Sequence, residues 1–407
     1  MRKVVIVFII MMPLLAVCQV EPYLTLAAEH NPGLKAKFNE YLAAMERIPQ
    51  AQTLPDPQVT FGLFVQPVET RVGPQRASLA VSQAFPWFGT LKAQGAVATQ
   101  MADAKLQLFE DAKLQLFSEV RVAYDQLYLL DRSIALTNEN LDLLSSFKEL
   151  ARVNFESGKT GFVNVLRVEM EEKELQTQLA YWEDSRTAAK VAFEKLLNTP
   201  VETIQFGDSL EIIELTLDKQ VLYDSIIIAN PKLQSIRSMV RSKEELLKVT
   251  ELNGKPSFTL GASYVNISER SGVELPDNGQ DAFVFPQVGL KIPIYRKKYK
   301  AQETQVTLEK EGLEYQIEEQ NNRLVTALEG FIRDHLDAKR RVVLYQNLHD
   351  LAGRSLSLLQ TEFTTGTADF EEVLRMERKL LTYQLEIERA RVETNRAIYQ
   401  INYIIGK

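Results

Sequence analysis

One cysteine and three histidines in 407 residues leave little material for disulfide or metal chemistry. A lone Cys closes no intrachain disulfide, and no Cys or His pair stands at zinc-ligand spacing. His335 and His349 lie fourteen residues apart on one predicted helix, about four turns rather than one, and His30 is remote from both. There is no HExxH, nucleophile elbow, phosphate loop or Cys/His pair, so the chain reads as no enzyme, with no cofactor. Basic surplus is lacking too. A formal net charge of −7 leaves no excess cation for nucleic-acid phosphates, which speaks against that partner. Beyond the extreme N-terminus no apolar run approaches the ~18 residues of a spanning helix. If this chain enters a membrane, it must do so as a β-barrel.

What is present begins with a secretion signal over residues 1–18. Arg2 and Lys3 precede an apolar run from Val4 to Val17, too short and too early to span. Two processing routes fit. Ala16-Val17-Cys18 places small residues at alternate positions and would release Gln19. Leu15-Ala16-Val17-Cys18 also reads as a lipoprotein box with Cys18 acylated, although Val17 is bulkier than the residue usual there. Either route exports the mature protein.

The chain then contains one design twice. Phe155, Gly158, Phe162, Val165-Leu166-Arg167 and Glu169 recur 208 residues later as Phe363, Gly366, Phe370, Val373-Leu374-Arg375 and Glu377. Each copy lies between long helical stretches and carries a Gly where a helix would stop, so each reads as the tip of a helical hairpin. Asn31-Pro32 likewise returns as Asn230-Pro231. Between these marks, Val59, Phe61, Leu63 and Val65 alternate with Thr60, Gly62, Phe64 and Gln66, and residues 76–85 continue the period of two. The second half repeats this over Phe258–Val265 and Val284–Ile292. The predicted order is helix, two strands, long helix, tip, helix, twice over. Residues 19–199 form the first repeat, 200–218 a connector with little regular structure, and 219–407 the second repeat. The long helices, from about Leu91 to Phe155 and Lys298 to Phe363, would each extend on the order of 100 Å. Such lengths call for coiled-coil-like packing, with Leu127, Leu130, Ile134, Leu141 and Leu144 as one seam.

Four strands with an apolar face and a small or polar face suit a membrane barrel, yet four cannot close one, and strands from several chains must combine. Phe85, Trp87, Phe88, Tyr295 and Tyr299 cluster where strands meet helices, the place of an interfacial girdle. Arg296, Lys297, Lys298 and Lys300 follow, either against lipid headgroups or as a solvated helix start.

Leu24-Thr25-Leu26 with Asn31-Pro32, the strand pairs, Gln83-Ala84-Phe85-Pro86 and the Gly…Val-Leu tips of both halves resemble the TolC-like outer-membrane efflux factors over nearly the whole mature chain. The resemblance implies a mainly α protein with a small β part. Its duplicated helical hairpins would form an α-barrel tunnel, and its four strands would contribute to a trimeric twelve-stranded transmembrane β-barrel. It implies a homotrimer in outer-membrane lipid whose tunnel extends into the periplasm, with a periplasmic adaptor and an inner-membrane pump as partners. The implied role is a passive exit duct for small molecules, drugs or heavy-metal ions among them. The adaptor-docking turns would fall on Gly158, Lys159 and Thr160 and on Gly366, Thr367 and Ala368. The acidic residue that narrows the family's inner mouth matches Glu372, with Asn164 at that place in the first repeat. Ala368 stands where many members have a basic gate residue. Phe162 and Phe370 either constrict the pore or pack the hairpin base. Glu371 and Glu372 either ring a threefold axis or simply suit a helix N-terminus. Arg167 and Arg375 are expected to pair with acids across helices. The competing reading, from another class, is a soluble periplasmic coiled-coil scaffold or adaptor, but no lipoyl-like β module stands between the helices.

Overall fold

The computed structural model describes residues 20–207, 209–272, 274–365 and 369–407, without the side chains of Thr364 and Thr365. The predicted signal segment with Cys18, and the tip residues Gly366, Thr367 and Ala368, lie outside the described residues. The element order is α1 (Glu21–His30), α2 (Pro32–Met45), α3 (Arg47–Gln52), β1 (Gln58–Thr70), β2 (Gly73–Phe85), α4 (Thr90–Glu156) and α5 (Val163–Leu197). It then runs again through α6 (Lys219–Ala229), α7 (Pro231–Asn253), β3 (Ser257–Ile267), β4 (Ala282–Lys291), α8 (Arg296–Thr365) and α9 (Phe370–Ile404). The chain is thus mainly helical with one small sheet. Among the described residues, no helix is long and apolar enough to cross a membrane.

Two compact units are present, and each gathers pieces of both repeats. One comprises Met1–Ala36, Glu110–Asn230 and Asn322–Lys407, the other Lys37–Phe109 and Pro231–Asn321. The first unit is helical. Its repeat echoes have a direct physical role there. The Asn31 side-chain amide donates to the Leu196 carbonyl near the end of α5, and Asn230 donates to Ile404 at the end of α9, both at 2.9 Å. Carbonyls in a last helical turn have no intrahelical partner, so each Asn-Pro joint satisfies one and anchors a hairpin end. The α5 end is completed by Asn198 in the left-handed region (φ 51°), and Gly406 takes the equivalent place after α9 (φ 77°).

Among the described residues, the connector between α5 and α6 has no ladder of its own, and side chains hold it instead. Tyr124 donates to the Gln205 carbonyl at 2.8 Å, and the Leu210 amide donates to the Tyr128 hydroxyl at 3.1 Å. Asn395 grips residues 211–213 at both its amide ends, at 2.8 Å each. Beneath this strap lies buried Asp125, bonded by the Tyr399 hydroxyl at 3.0 Å. Burial pushes its carboxyl up to about 7, against the pull of Tyr399 and Asn395.

The second unit holds the sheet, in order β1-β2-β3-β4 and antiparallel throughout. The first hairpin turns within two residues, 71–72, and its strands are thirteen residues each. The second has shorter strands and a longer connection over 268–281.

Candidate functional site at the hairpin tips and on the exposed sheet

The sheet register aligns the apolar positions of all four strands. Phe61 faces Leu79, which faces Tyr264, which faces Phe283. Val59 faces Val81, and Phe85 faces Phe258, which faces Leu290. The intervening positions are small or polar: Gln58, Ser82, Gly261 and Gln287 form one row, and Ala84, Thr259 and Gly289 another. The apolar side is open. Phe61 is 65% exposed, Val65 95% and Val288 69%. Leaving side chains of this size in water forfeits roughly 1.5–3 kcal/mol each, so the face is built for an apolar medium or a covering partner. β1 and β4 end the sheet, and each has one edge unpaired among the described residues. Unpaired edges of such length are templates for strands of another chain.

At the foot of the sheet, Phe85, Phe88 and Tyr295 are exposed. Trp87 is half-buried and stacks on Phe258, with ring centres 5.9 Å apart and planes 22° apart.

The tips belong to the helical unit. After α4, Gly158 takes φ +73°, and the Lys159 amide donates back to the Asn154 carbonyl at 2.9 Å. An added Cβ at Gly158 would meet nothing, so backbone conformation alone demands glycine. Lys159 is exposed and Thr160 half-buried. Phe162 precedes α5, is 49% exposed and lies against Phe155, with ring centres 5.2 Å apart. Asn164 is buried and within 3.4 Å of the Arg167 guanidinium.

The second tip is placed differently. Asp369 caps α9 by accepting from the Glu371 amide at 3.1 Å. Phe370 is 2% exposed and sits in a core with Leu144, Ala151, Val165, Val168 and Leu374. Phe147 meets it edge-on at 6.2 Å, and Phe363 lies 5.3 Å away. Its ring therefore packs the hairpin base, one of the two roles read from the sequence, and is not available to line a passage.

Charge ties the hairpins together. Arg167 of α5 reaches Glu371 of α9 at 2.8 Å, as expected of a cross-helix pair. Arg375 departs from that expectation: its partner is Glu372 at 3.1 Å, one turn earlier on the same helix. The sequence reading did not single out two further ties. Arg378 grips buried Glu171 through both nitrogens, with Nε to Oε1 at 2.8 Å, and Lys148 joins Glu169 and Glu172 at 3.3 and 3.1 Å. Glu372 itself is exposed in the first turn of α9. Among the described residues, no group of His, Cys, Asp or Glu is arranged to hold a metal ion.

Residues 23–199 match the family model for outer membrane efflux proteins. No curated relative matches the sequence. Solved structures match almost end to end. CusC, described with conformational changes accompanying folding and transmembrane channel formation, superposes with a TM-score of 0.79 at 15% identity, over 95% of this chain and 92% of its own. The outer membrane protein VceC of Vibrio cholerae gives 0.75 at 16% identity, over 95% and 96%. The outer-membrane channel OprN gives 0.78 at 16% identity, over 95% and 90%. At such identities the likeness establishes the fold of these channels, in both repeats.

Proposed function

Starting from a chain that matches the outer membrane efflux protein family in its first repeat and has the fold of the TolC-like channels throughout, we propose that it is the outer-membrane exit duct of a tripartite efflux system. It offers a passive route for small molecules, drugs or heavy-metal ions. One observation carries the reading: a four-stranded sheet whose apolar positions are aligned across every strand, exposed, and bounded by two unpaired edges. Joining β1 of one chain to β4 of the next in a homotrimer makes twelve strands and leaves no edge. A bacterial barrel needs at least about eight, so one chain, or two chains only at the minimum, is the poorer solution. Lipid then covers the apolar face, and Gly62, Ser78, Ser82, Gly261 and Gly289 line the bore, where small residues keep it open. Phe85, Trp87, Phe88 and Tyr295 serve as the aromatic girdle.

In this reading, residues 19–199 and 219–407 are two repeats of one design, and 200–218 is the belt strapped across them. The helical hairpins form the periplasmic tunnel. Gly158, Lys159, Thr160, Gly366, Thr367 and Ala368 present the turns that dock a periplasmic adaptor, which links the duct to an inner-membrane pump. Glu372, exposed and flanked by Arg375, narrows the inner mouth as a ring of three carboxylates, which favours cations. Phe162 and Asn164 support the gate from the first repeat. Residues 1–18 direct export. No catalytic step is part of the proposal. A soluble scaffold would leave the aligned apolar face uncovered in water, and nothing in the sheet favours that alternative.

The test is planar-bilayer conductance of the detergent-purified mature protein, with an unboiled gel beside it. SDS-resistant trimers and discrete small channels are expected, with higher conductance in Glu372→Ala. A water-soluble protein without channels would overturn the proposal.

A further inference from the structure

Within the unit that carries the sheet, a cavity of about 330 Å³ opens among Trp87, Thr90, Lys255, Ser257, Lys291 and Lys298. Two helix starts meet it. Thr90 opens α4, and Lys298 lies in the first turn of α8. First-turn amides lack intrahelical acceptors and carry the positive end of the helix dipole. Acidic residues normally offset that charge, yet neither helix has one in its first turn, and α8 begins Arg296-Lys297-Lys298. The local charge is therefore arranged against the dipole rather than with it.

A second observation points the same way. Thr90 is 2% exposed, and its Oγ1 has no hydrogen-bond partner. A buried hydroxyl left unpaired is costly unless something absent from the protein itself completes it. Lys255, Lys291 and Lys298 make no ion pair among the described residues. Three exposed lysines without ion-pair partners, a buried spare hydroxyl and two helix starts thus line one space, an arrangement suited to an anion.

We propose that this cavity binds a phosphate-type oxyanion. Thr90 donates from its hydroxyl, and the three lysines supply countercharge. The register pairs Lys291 with Ser257 on the small, polar side of the sheet, where a dissolved phosphate would arrive through water. A lipid headgroup would bring the same chemistry from the membrane. Binding of dissolved phosphate does not depend on the duct reading; only the lipid source does.

The experiment titrates the full-length, detergent-purified protein with inorganic phosphate by calorimetry. In parallel, native mass spectrometry follows lipid retention after reconstitution with phosphatidylglycerol or phosphatidylcholine. Saturable phosphate binding is expected, weakened at least about tenfold in Lys255→Gln/Lys298→Gln and about threefold in Thr90→Val, which removes the hydroxyl at nearly constant shape. Retention of phosphatidylglycerol alone, lost in the same variants, would support the site and assign it to a headgroup. No binding of either probe, or binding unchanged by the variants, would overturn it. The oligomer band and channel conductance, measured on the same variants, are expected to be unchanged. They separate failure of this site from failure of the duct or of folding.

Discussion

The two hairpin tips share seven residues at one spacing, yet those residues do different work. Phe162 is 49% exposed while its counterpart Phe370 is 2% exposed. Arg167 crosses between hairpins to Glu371, whereas Arg375 folds back on its own helix to Glu372. Glu169 is half-exposed and pairs with Lys148, whereas Glu377 is buried. A duplicated sequence therefore did not yield duplicated environments. The cause is packing. Phe147 and Leu144 of α4 lie over the base of the second hairpin and close a core around Phe370 that the first tip does not have around Phe162. Phe370 is thus pinned by burial, whereas Phe162, one residue before α5 enters the same core through Val165 and Val168, is held by a single surface ring contact and is the freer of the two.

The sharpest way to break this comparison is to truncate both rings. Phe370→Ala empties a closed site and is expected to cost about 3–5 kcal/mol. Phe162→Ala loses one exposed stack and should cost about 1 kcal/mol. Heat-scanning of the purified oligomer reads both as shifts in melting temperature. Equal shifts would mean that the tips are equivalent after all.

That asymmetry was not legible in the sequence, and its reason is general. Helices, strands and tips are local: period-two alternation, the breaks at Asn-Pro and a glycine at a helix end are properties of short segments, and they placed the elements well. Burial of one Phe over its twin depends on which helix lies across it, and both copies read alike. Arg167 and Arg375 were both expected to reach another helix, but for Arg375 Glu372 stands one turn away where the first repeat has Asn164. Other contacts left a trace that was seen without its meaning. Asn31-Pro32 and Asn230-Pro231 read as helix breaks, and only the fold places each amide on the last turn of a distant helix. The sheet was the opposite case. Its alternation was plain, and the structure added the alignment of apolar positions from strand to strand.

The paired glutamates sharpen the comparison through pH. Burial raises the carboxyl of Glu377 above its ordinary value. A group with a raised folded-state pKa penalises the fold as pH climbs: the penalty starts near the unfolded value and is complete above the folded one. Glu377→Gln should therefore leave the melting temperature near its original value at pH 4 and raise it at pH 8, which flattens the profile. Glu169→Gln removes a half-exposed pair and should lower stability at pH 8, by under about 1 kcal/mol. The two substitutions are chemically identical and sit at equivalent positions, so opposite signs at pH 8 would show that environment, not sequence, sets their roles. Matching signs would refute the burial argument.

The arginines give the smallest effect and the most direct link to opening. Arg167 to Glu371 is a partly exposed pair, worth up to about 1 kcal/mol, or roughly a factor of five in an equilibrium. Because it joins α5 to α9, that energy opposes any motion separating the two hairpins. Arg375 to Glu372 lies within α9, so it moves with the helix and contributes nothing to such a motion. Arg167→Ala should accordingly raise the open fraction in bilayer recordings by up to about fivefold. Arg375→Ala should leave it unchanged, unless the freed Glu372 carboxylates alter conductance itself, which appears as a change of single-channel size rather than of open time. Salt provides the control. Near 1 M the screening length falls to about 3 Å, and the Arg167 effect should shrink with it. If high salt leaves the difference intact, the lost side chain acts by packing, and the first tip is held by more than charge.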